Sequence, residues 1–163
     1  MSTYEGSLDA PPGRFAIVAS KFNQEVVARL VAGAKEALLQ CGIGEDAIDL
    51  VWVPGAFEIP FTARLLAESG SSTSRSRYSA IVCLGAVIRG ETDHYDYVCK
   101  AATEGILSVS LATTQVRVPV LFGVLTCETE EQALDRAGGK AGNKGFDVAQ
   151  SAIAMVNLMR QLP

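Results

Sequence analysis

Ala80-Ile81-Val82-Cys83-Leu84-Gly85-Ala86-Val87-Ile88-Arg89-Gly90-Glu91-Thr92-Asp93-His94 joins an apolar run to a glycine-containing stretch and then to the start of a helical pattern. The run at residues 80–84 is apolar without alternation, which is typical of a strand covered on both faces of a parallel sheet. The helical spacing that follows consists of Val98, Ala102, Ile106 and Val109. This order of strand, loop and helix predicts one unit of an α/β fold.

The same pattern recurs on both sides of this segment. Further apolar runs lie at 15–19, 50–53 and 118–125, and two closing helices are expected at about 129–138 and 147–161. Between the first runs, helical spacing is shown by Val27, Leu30, Val31, Ala34 and Leu38, and then by Ile59, Ala63 and Leu66. The predicted fold is a three-layer α/β/α sandwich with a four-stranded parallel, flavodoxin-like sheet.

The chain length of 163 residues corresponds to one domain. Residues 1–13 are polar and include Pro11-Pro12-Gly13, so they are expected to form an extended N-terminal arm before a single domain at 14–163. Residues 69–77 are rich in serine and arginine and cannot pack a core, which predicts a solvated surface loop.

Composition limits the class of protein. Hydrophobic types make up 48 % of the chain and charged types only 20 %, against about 25 % charged in typical soluble domains, which predicts an oligomer. A net charge of −4 argues against wrapping nucleic acid. No apolar run approaches the roughly 20 residues of a membrane span, and the N-terminus lacks a secretory signal, so a cytoplasmic protein is expected.

The four cysteines and the single histidine have none of the usual zinc-ligand spacings. Neither a CxxC pair nor an HExxH motif is present. The cysteines are therefore expected to be reduced thiols, and no metal site is predicted.

Ligands of open parallel sheets bind beyond the carboxyl ends of the strands. That rule selects residues 20–23, 54–58 and 85–94, which contain two aromatics, a carboxylate and the histidine: Phe22, Phe57, Glu58 and His94. An exposed ring there could stack on a planar ligand, a carboxylate could accept hydrogen bonds from hydroxyls, and a histidine could transfer protons. The alternatives are core aromatics, a carboxylate at a helix start and a capping or packing histidine.

Residues 85–92 have the outline of a nucleotide phosphate loop, GxxxxGK[ST], with Glu91 where lysine is expected. A triphosphate is therefore disfavoured, whereas a single phosphate could be held by N–H groups near Glu91 and Thr92 and by the Thr92 hydroxyl. A glycine-rich stretch at 136–145 contains three cations, and Arg136 can supply a counter-charge. The alternatives are a tight turn without a ligand and a simple helix–helix connection.

These segments together resemble the 6,7-dimethyl-8-ribityllumazine synthase family over nearly everything from about residue 14 to 160. The matched blocks are 14–23, 52–60, 84–92, 94–98, 122–126 and 132–145. The resemblance implies condensation of 5-amino-6-(D-ribitylamino)uracil with 3,4-dihydroxy-2-butanone 4-phosphate, two small-molecule substrates, without metal or cofactor. The product is 6,7-dimethyl-8-ribityllumazine, with release of phosphate and water.

The resemblance also implies a role for each matched residue. Phe22 stacks on the pyrimidine, and His94 transfers protons. The other contacts to the pyrimidine and its ribityl chain come from Ala56, Phe57, Glu58, Ala86, Val87, Ile88, Phe122 and Lys144. Phosphate is held by Glu91, Thr92 and Arg136. Phe122, Arg136 and Lys144 enter the site from an adjacent subunit.

The family assembles as pentamers, and the short connection at 138–145 resembles that of members that build a 60-subunit icosahedral shell. Riboflavin synthase is a further expected partner. Two other classes stay open at this point. One is a non-catalytic binding or shell-building protein with the same fold, and the other is a flavodoxin-like nucleotide-binding module.

Overall fold

The computed structural model describes residues 1–70, 76–112 and 117–163. Four parallel strands form one sheet in the order β2-β1-β3-β4. Its strands are β1 (Arg14–Ser20), β2 (Ile48–Val53), β3 (Tyr78–Ile88) and β4 (Val120–Cys127). The helices are α1 (Gln24–Gln40), α2 (Ile59–Ala67), α3 (His94–Leu111), α4 (Glu130–Arg136) and α5 (Lys144–Gln161). The predicted four-stranded parallel α/β fold is confirmed.

Apolar clusters cover both faces of the sheet. On one face Phe15, Ile17 and Leu84 pack against α1 and α5. On the other face, alternate strand residues such as Val18 and Ile81 pack against α2 and α3. This two-sided burial explains why the predicted strands are apolar without alternation.

Several boundaries differ from the sequence prediction. The third strand continues to Ile88, although residues 85–88 were expected to leave the sheet as part of a loop. The connection between the last two helices contains a short antiparallel ribbon, formed by β5 (Ala137–Gly139) and β6 (Gly142–Asn143). The last helix starts at Lys144, three residues before the expected boundary, because the Asn143 side chain accepts from the N–H groups of Gly145 and Phe146.

The N-terminal residues before β1 contain no regular helix or strand. They lie along α5, where the Asn157 side-chain amide donates to the carbonyl oxygens of Ser7 and Asp9, at 2.9 and 2.8 Å. Residues 71–75 of the predicted serine/arginine loop lie outside the described residues. Within the part of the chain described, no helix is long and apolar enough to span a membrane.

Candidate functional site

A pocket of about 500 Å³ opens at the carboxyl ends of β1, β2 and β3. Its lining comes from the end of β3, from the segments that follow the three strands and from the first turns of α3. The lining residues are Phe22, Asn23, Gly55, Ala56, Phe57, Glu58, Ala86, Val87, Ile88, Gly90, Thr92, His94, Tyr95 and Val98. Nine predicted site residues, far apart in the chain, therefore meet at one cavity.

The first wall follows β1. The side chain of Phe22 is 71 % exposed, although its backbone N–H is fixed by a 3.1 Å hydrogen bond to the Pro54 carbonyl. Asn23 adopts the left-handed conformation with φ of 55°, which asparagine tolerates better than most residues. Its side-chain amide donates to the Ala86 carbonyl at 2.9 Å. A fixed backbone thus presents an aromatic face to the cavity.

The second wall is a 3₁₀ turn at Ala56–Glu58, directly after β2 and Pro54-Gly55. Phe57 is 61 % exposed, whereas Ala56 is buried. One carboxylate oxygen of Glu58 accepts from the Gly55 N–H at 2.8 Å. This contact is the one that the alternative prediction, a carboxylate at a helix start, calls for. A carboxylate accepts up to about four hydrogen bonds, so Glu58 keeps capacity for hydroxyls of a ligand.

The third wall combines the end of β3 with the loop before α3. Residues 85–88 pair with 124–127 of β4, and their backbone is therefore engaged in the sheet rather than wrapped as a phosphate loop. Only the residues from Arg89 to Asp93 form the loop, and Thr92 lies on its pocket side. Residues 85–92 therefore do not form the wrapped loop that a nucleoside triphosphate site needs.

The first turn of α3 lies beside this loop. His94 is the first residue of the helix, and it is exposed at the pocket. The side chain of Asp93 does not cap the helix. The N–H groups of the first turn of α3 therefore have no acceptor from the Asp93 side chain, although the residue at this position usually supplies one. Thr92, whose side chain carries a hydroxyl, directly precedes Asp93.

Arg89 connects this loop to its surroundings through an ion-pair cluster. Its guanidinium donates to both carboxylate oxygens of Asp96, at 2.8 and 3.3 Å, and to Glu128 at 3.1 Å. The hydrogen bond from Arg89 holds the pKa of the Asp96 carboxyl below its usual range. The guanidinium carbon also lies 4.1 Å from the centre of the Tyr95 ring.

Four predicted site residues do not line the pocket. Glu91 is exposed between two lining residues. Phe122 is 40 % exposed on the edge strand β4, and Lys144 pairs with Asp147 at 3.1 Å at the start of α5. Arg136 is exposed at the end of α4 and has no carboxylate partner among residues 1–70, 76–112 and 117–163.

The predicted set of site residues omitted five lining residues: Asn23, Gly55, Gly90, Tyr95 and Val98. Each lies within four residues of a predicted one. A usable signal existed for Asn23, because an asparagine in the short turn between a strand and a helix tolerates the left-handed conformation.

The cysteines and carboxylates form no metal site in the described part of the chain. All four cysteines are free, and burial raises the pKa of the Cys83 thiol to about 12, which keeps it protonated.

A sequence model of the 6,7-dimethyl-8-ribityllumazine synthase family matches residues 12–160. The matched range contains all four strands of the main sheet, helices α1 to α4, all but the last residue of α5, and every residue that lines the pocket.

Proposed function

Since the chain belongs to the 6,7-dimethyl-8-ribityllumazine synthase family, transferases of riboflavin biosynthesis, we propose the specific reaction implied by the sequence. The chain condenses 5-amino-6-(D-ribitylamino)uracil with 3,4-dihydroxy-2-butanone 4-phosphate. The observation that carries this proposal is the convergence of an aromatic face, a carboxylate and a histidine on one pocket. A volume of about 500 Å³ lies within the roughly 300–1,000 Å³ that small-molecule sites occupy.

The pyrimidine binds between the Phe22 ring and the end of β3. The exposed face of Phe22 supplies stacking, and the backbone at Ala86, Val87 and Ile88 borders the position of the flat ring. The ribityl chain extends toward Ala56, Phe57 and Glu58, where the free lone pairs of the Glu58 carboxylate accept from its hydroxyls.

The phosphate of the second substrate binds at the loop before α3. Backbone N–H groups near Glu91 and Thr92, the Thr92 hydroxyl and the start of an 18-residue helix all favour an anion. The described lining contains the Glu58 carboxylate but neither lysine nor arginine. A cation must therefore enter from outside this lining. The proposed source is the exposed Arg136 of an adjacent subunit, which has no carboxylate partner within the described part of its own chain.

The proposed site lies between subunits. Phe122, Arg136 and Lys144 of one protomer complete the pocket of the next, which explains why they do not line the pocket of their own chain. Exposed apolar side chains on α2 and α3 supply a contact surface: Phe61, Leu65, Tyr97, Leu107 and Leu111.

The proposed assembly is a pentamer, twelve of which form an icosahedral shell, with riboflavin synthase as a further partner. The proposed compartment is the cytoplasm, whose reducing conditions suit four free cysteines.

The chemistry needs positioning more than an activated nucleophile. The 5-amino group adds to the ketone and forms an imine with loss of water. Loss of the C3 proton and of phosphate from C4 then gives an enol, whose keto tautomer supplies a second carbonyl. The ribitylamino nitrogen adds to that carbonyl, and loss of the second water closes the ring. Holding both substrates in register accounts for much of the rate, because well-oriented intramolecular reactions gain large effective molarities. His94, exposed beside the phosphate loop, moves protons between these steps.

The test is formation of the fluorescent lumazine from the two substrates, with the protein-free mixture as the baseline. Wild-type protein is expected to raise the rate well above this baseline. His94→Ala is expected to lower kcat by about 100-fold or less, at the low end of general acid–base effects, and to leave measurable turnover. A wild-type rate equal to the baseline would refute the proposed function. Loss of all turnover in a folded, substrate-binding His94→Ala would refute the dominance of positioning.

A further inference from the structure

We propose that Arg89, the first residue of the loop 89–93, is a positioning residue that holds the rest of this loop and the first turn of α3 in the geometry that binds phosphate. The proposal rests on the function proposed above and assigns the loop's conformation to a side chain outside the pocket. Arg89 is not among the lining residues, whereas Gly90, Thr92, His94 and Tyr95 are.

The backbone and side chain of Arg89 fix both ends of the loop. Its N–H donates to the Cys127 carbonyl at 2.9 Å, which joins the start of the loop to the end of β4. Its guanidinium spans the loop and donates to both oxygens of Asp96 in α3. A bidentate pair of this kind fixes orientation as well as distance, since both planar groups must align.

Two further contacts fix the guanidinium itself. Glu128, directly after β4, accepts from its Nε at 3.1 Å. Tyr95 lies beneath it, with the ring centre 4.1 Å from Cζ, a distance at which a cation is attracted to the ring face. Arg89 thus holds the residue that follows His94 as well as the loop that precedes it.

The charge balance distinguishes positioning from direct binding. One guanidinium faces two carboxylates, Asp96 and Glu128, so the cluster carries a net charge of −1. Such a cluster repels a free phosphate rather than attracting it. Its contribution is therefore the shape of the loop, and the cation for phosphate has to come from elsewhere.

The experiment compares Arg89→Gln, Arg89→Lys and Asp96→Asn with wild type. Arg29→Gln serves as the matched control, because it removes an arginine from an exposed helical ion pair with Glu25 that does not border the pocket. Steady-state assays give KM for each substrate and kcat. Calorimetric titration measures Kd for inorganic phosphate independently of turnover. Urea unfolding measures the stability of each variant.

Arg89→Gln is expected to raise KM for the butanone phosphate and Kd for inorganic phosphate at least 10-fold, with less than a 3-fold change in KM for the pyrimidine. Arg89→Lys keeps the positive charge but cannot form the two parallel hydrogen bonds to Asp96. Its KM for the butanone phosphate and its Kd for inorganic phosphate should therefore lie between those of wild type and Arg89→Gln. Combining Arg89→Gln with Asp96→Asn should add little to the single change, because both remove the same contact. The lysine variant keeps the test decisive if the glutamine variant does not fold.

The proposal is overturned if Arg89→Gln or Arg89→Lys matches Arg29→Gln in phosphate affinity, or if both KM values rise together. Failure of the proposed function looks different. Wild type would then form lumazine no faster than the protein-free baseline, and phosphate titrations of wild type and Arg89 variants would still decide the role of the loop. A wild-type protein that neither turns over nor binds phosphate overturns both proposals.

Discussion

Replacing Phe22 with alanine tests the proposed stacking contact with little cost to folding. Its side chain is 71 % exposed, so alanine removes little buried area, and the free energy of unfolding should change by less than about 0.5 kcal/mol. The local backbone stays in place, because the Phe22 N–H and the Asn23 amide form their hydrogen bonds independently of the ring.

The expected effect on binding is much larger. Loss of stacking between an aromatic side chain and a planar base costs about 1–3 kcal/mol, which corresponds to roughly 5- to 150-fold weaker binding of the pyrimidine. Phe22→Tyr keeps the aromatic face and should stay within about 3-fold of wild type, a difference of less than 1 kcal/mol. KM for the butanone phosphate should change little.

The assay combines steady-state lumazine fluorescence with an equilibrium titration of the lumazine product, since KM equals Kd only when chemistry is slow. Leu39→Ala is the control, because it removes another exposed apolar side chain, 46 % exposed, from α1 and away from the pocket. Unchanged affinity for the pyrimidine and the lumazine in a folded, assembled Phe22→Ala protein would refute the stacking role.

Three further predictions concern assembly of the site, packing and pH. Arg136→Ala should raise KM for the phosphate substrate about 10- to 100-fold, as expected for loss of a charged hydrogen bond. Arg160→Ala, which removes another exposed arginine, should leave this KM unchanged. Equal effects of Arg136→Ala on the KM of both substrates would contradict the phosphate-binding role of Arg136. Gly145→Ala should destabilise the fold by about 2–3 kcal/mol in urea unfolding, because an added Cβ would lie 2.0 Å from a carbonyl oxygen of α1, and a loss under 0.5 kcal/mol would contradict this packing. The hydrogen bond from Arg14 holds the pKa of Asp49 below its usual range, so its stabilising effect is present above the unfolded pKa of about 3.9 and is lost as pH falls through the lower folded value. Acid unfolding between pH 5 and 2 should therefore be steeper in wild type than in Asp49→Asn, and identical profiles would argue against this linkage.

The strand and helix pattern was predictable because it depends on short-range periodicity. Residues 15–19 are apolar at every position since one neighbour faces α1 and α5 and the next faces α2 and α3. The same reasoning placed Phe22, Glu58 and His94 at one edge, because parallel strands end at that edge.

The glycine at position 85 shows where local interpretation failed. It was expected to begin a loop, but it lies inside β3. A Cβ there would approach the Ser20 hydroxyl and the Ile59 side chain to 3.1 and 3.2 Å. Gly85 therefore lies where β3 comes close to β1 and α2, and not at a turn. Neither contact can be inferred from the residues next to Gly85 in sequence.

Local patterning and motif spacing in the chain were thus enough for the α/β class, the family resemblance and the edge of the sheet where the pocket lies. Folding in three dimensions decided which side chains meet there. Arg89 contacts Glu128, 39 positions away, and Asn23 contacts Ala86, 63 positions away. It also decided that Arg136 and Lys144 lie outside the pocket of their own chain. Periodicity reports which face of an element is buried, whereas contacts between distant segments depend on how helices and strands pack.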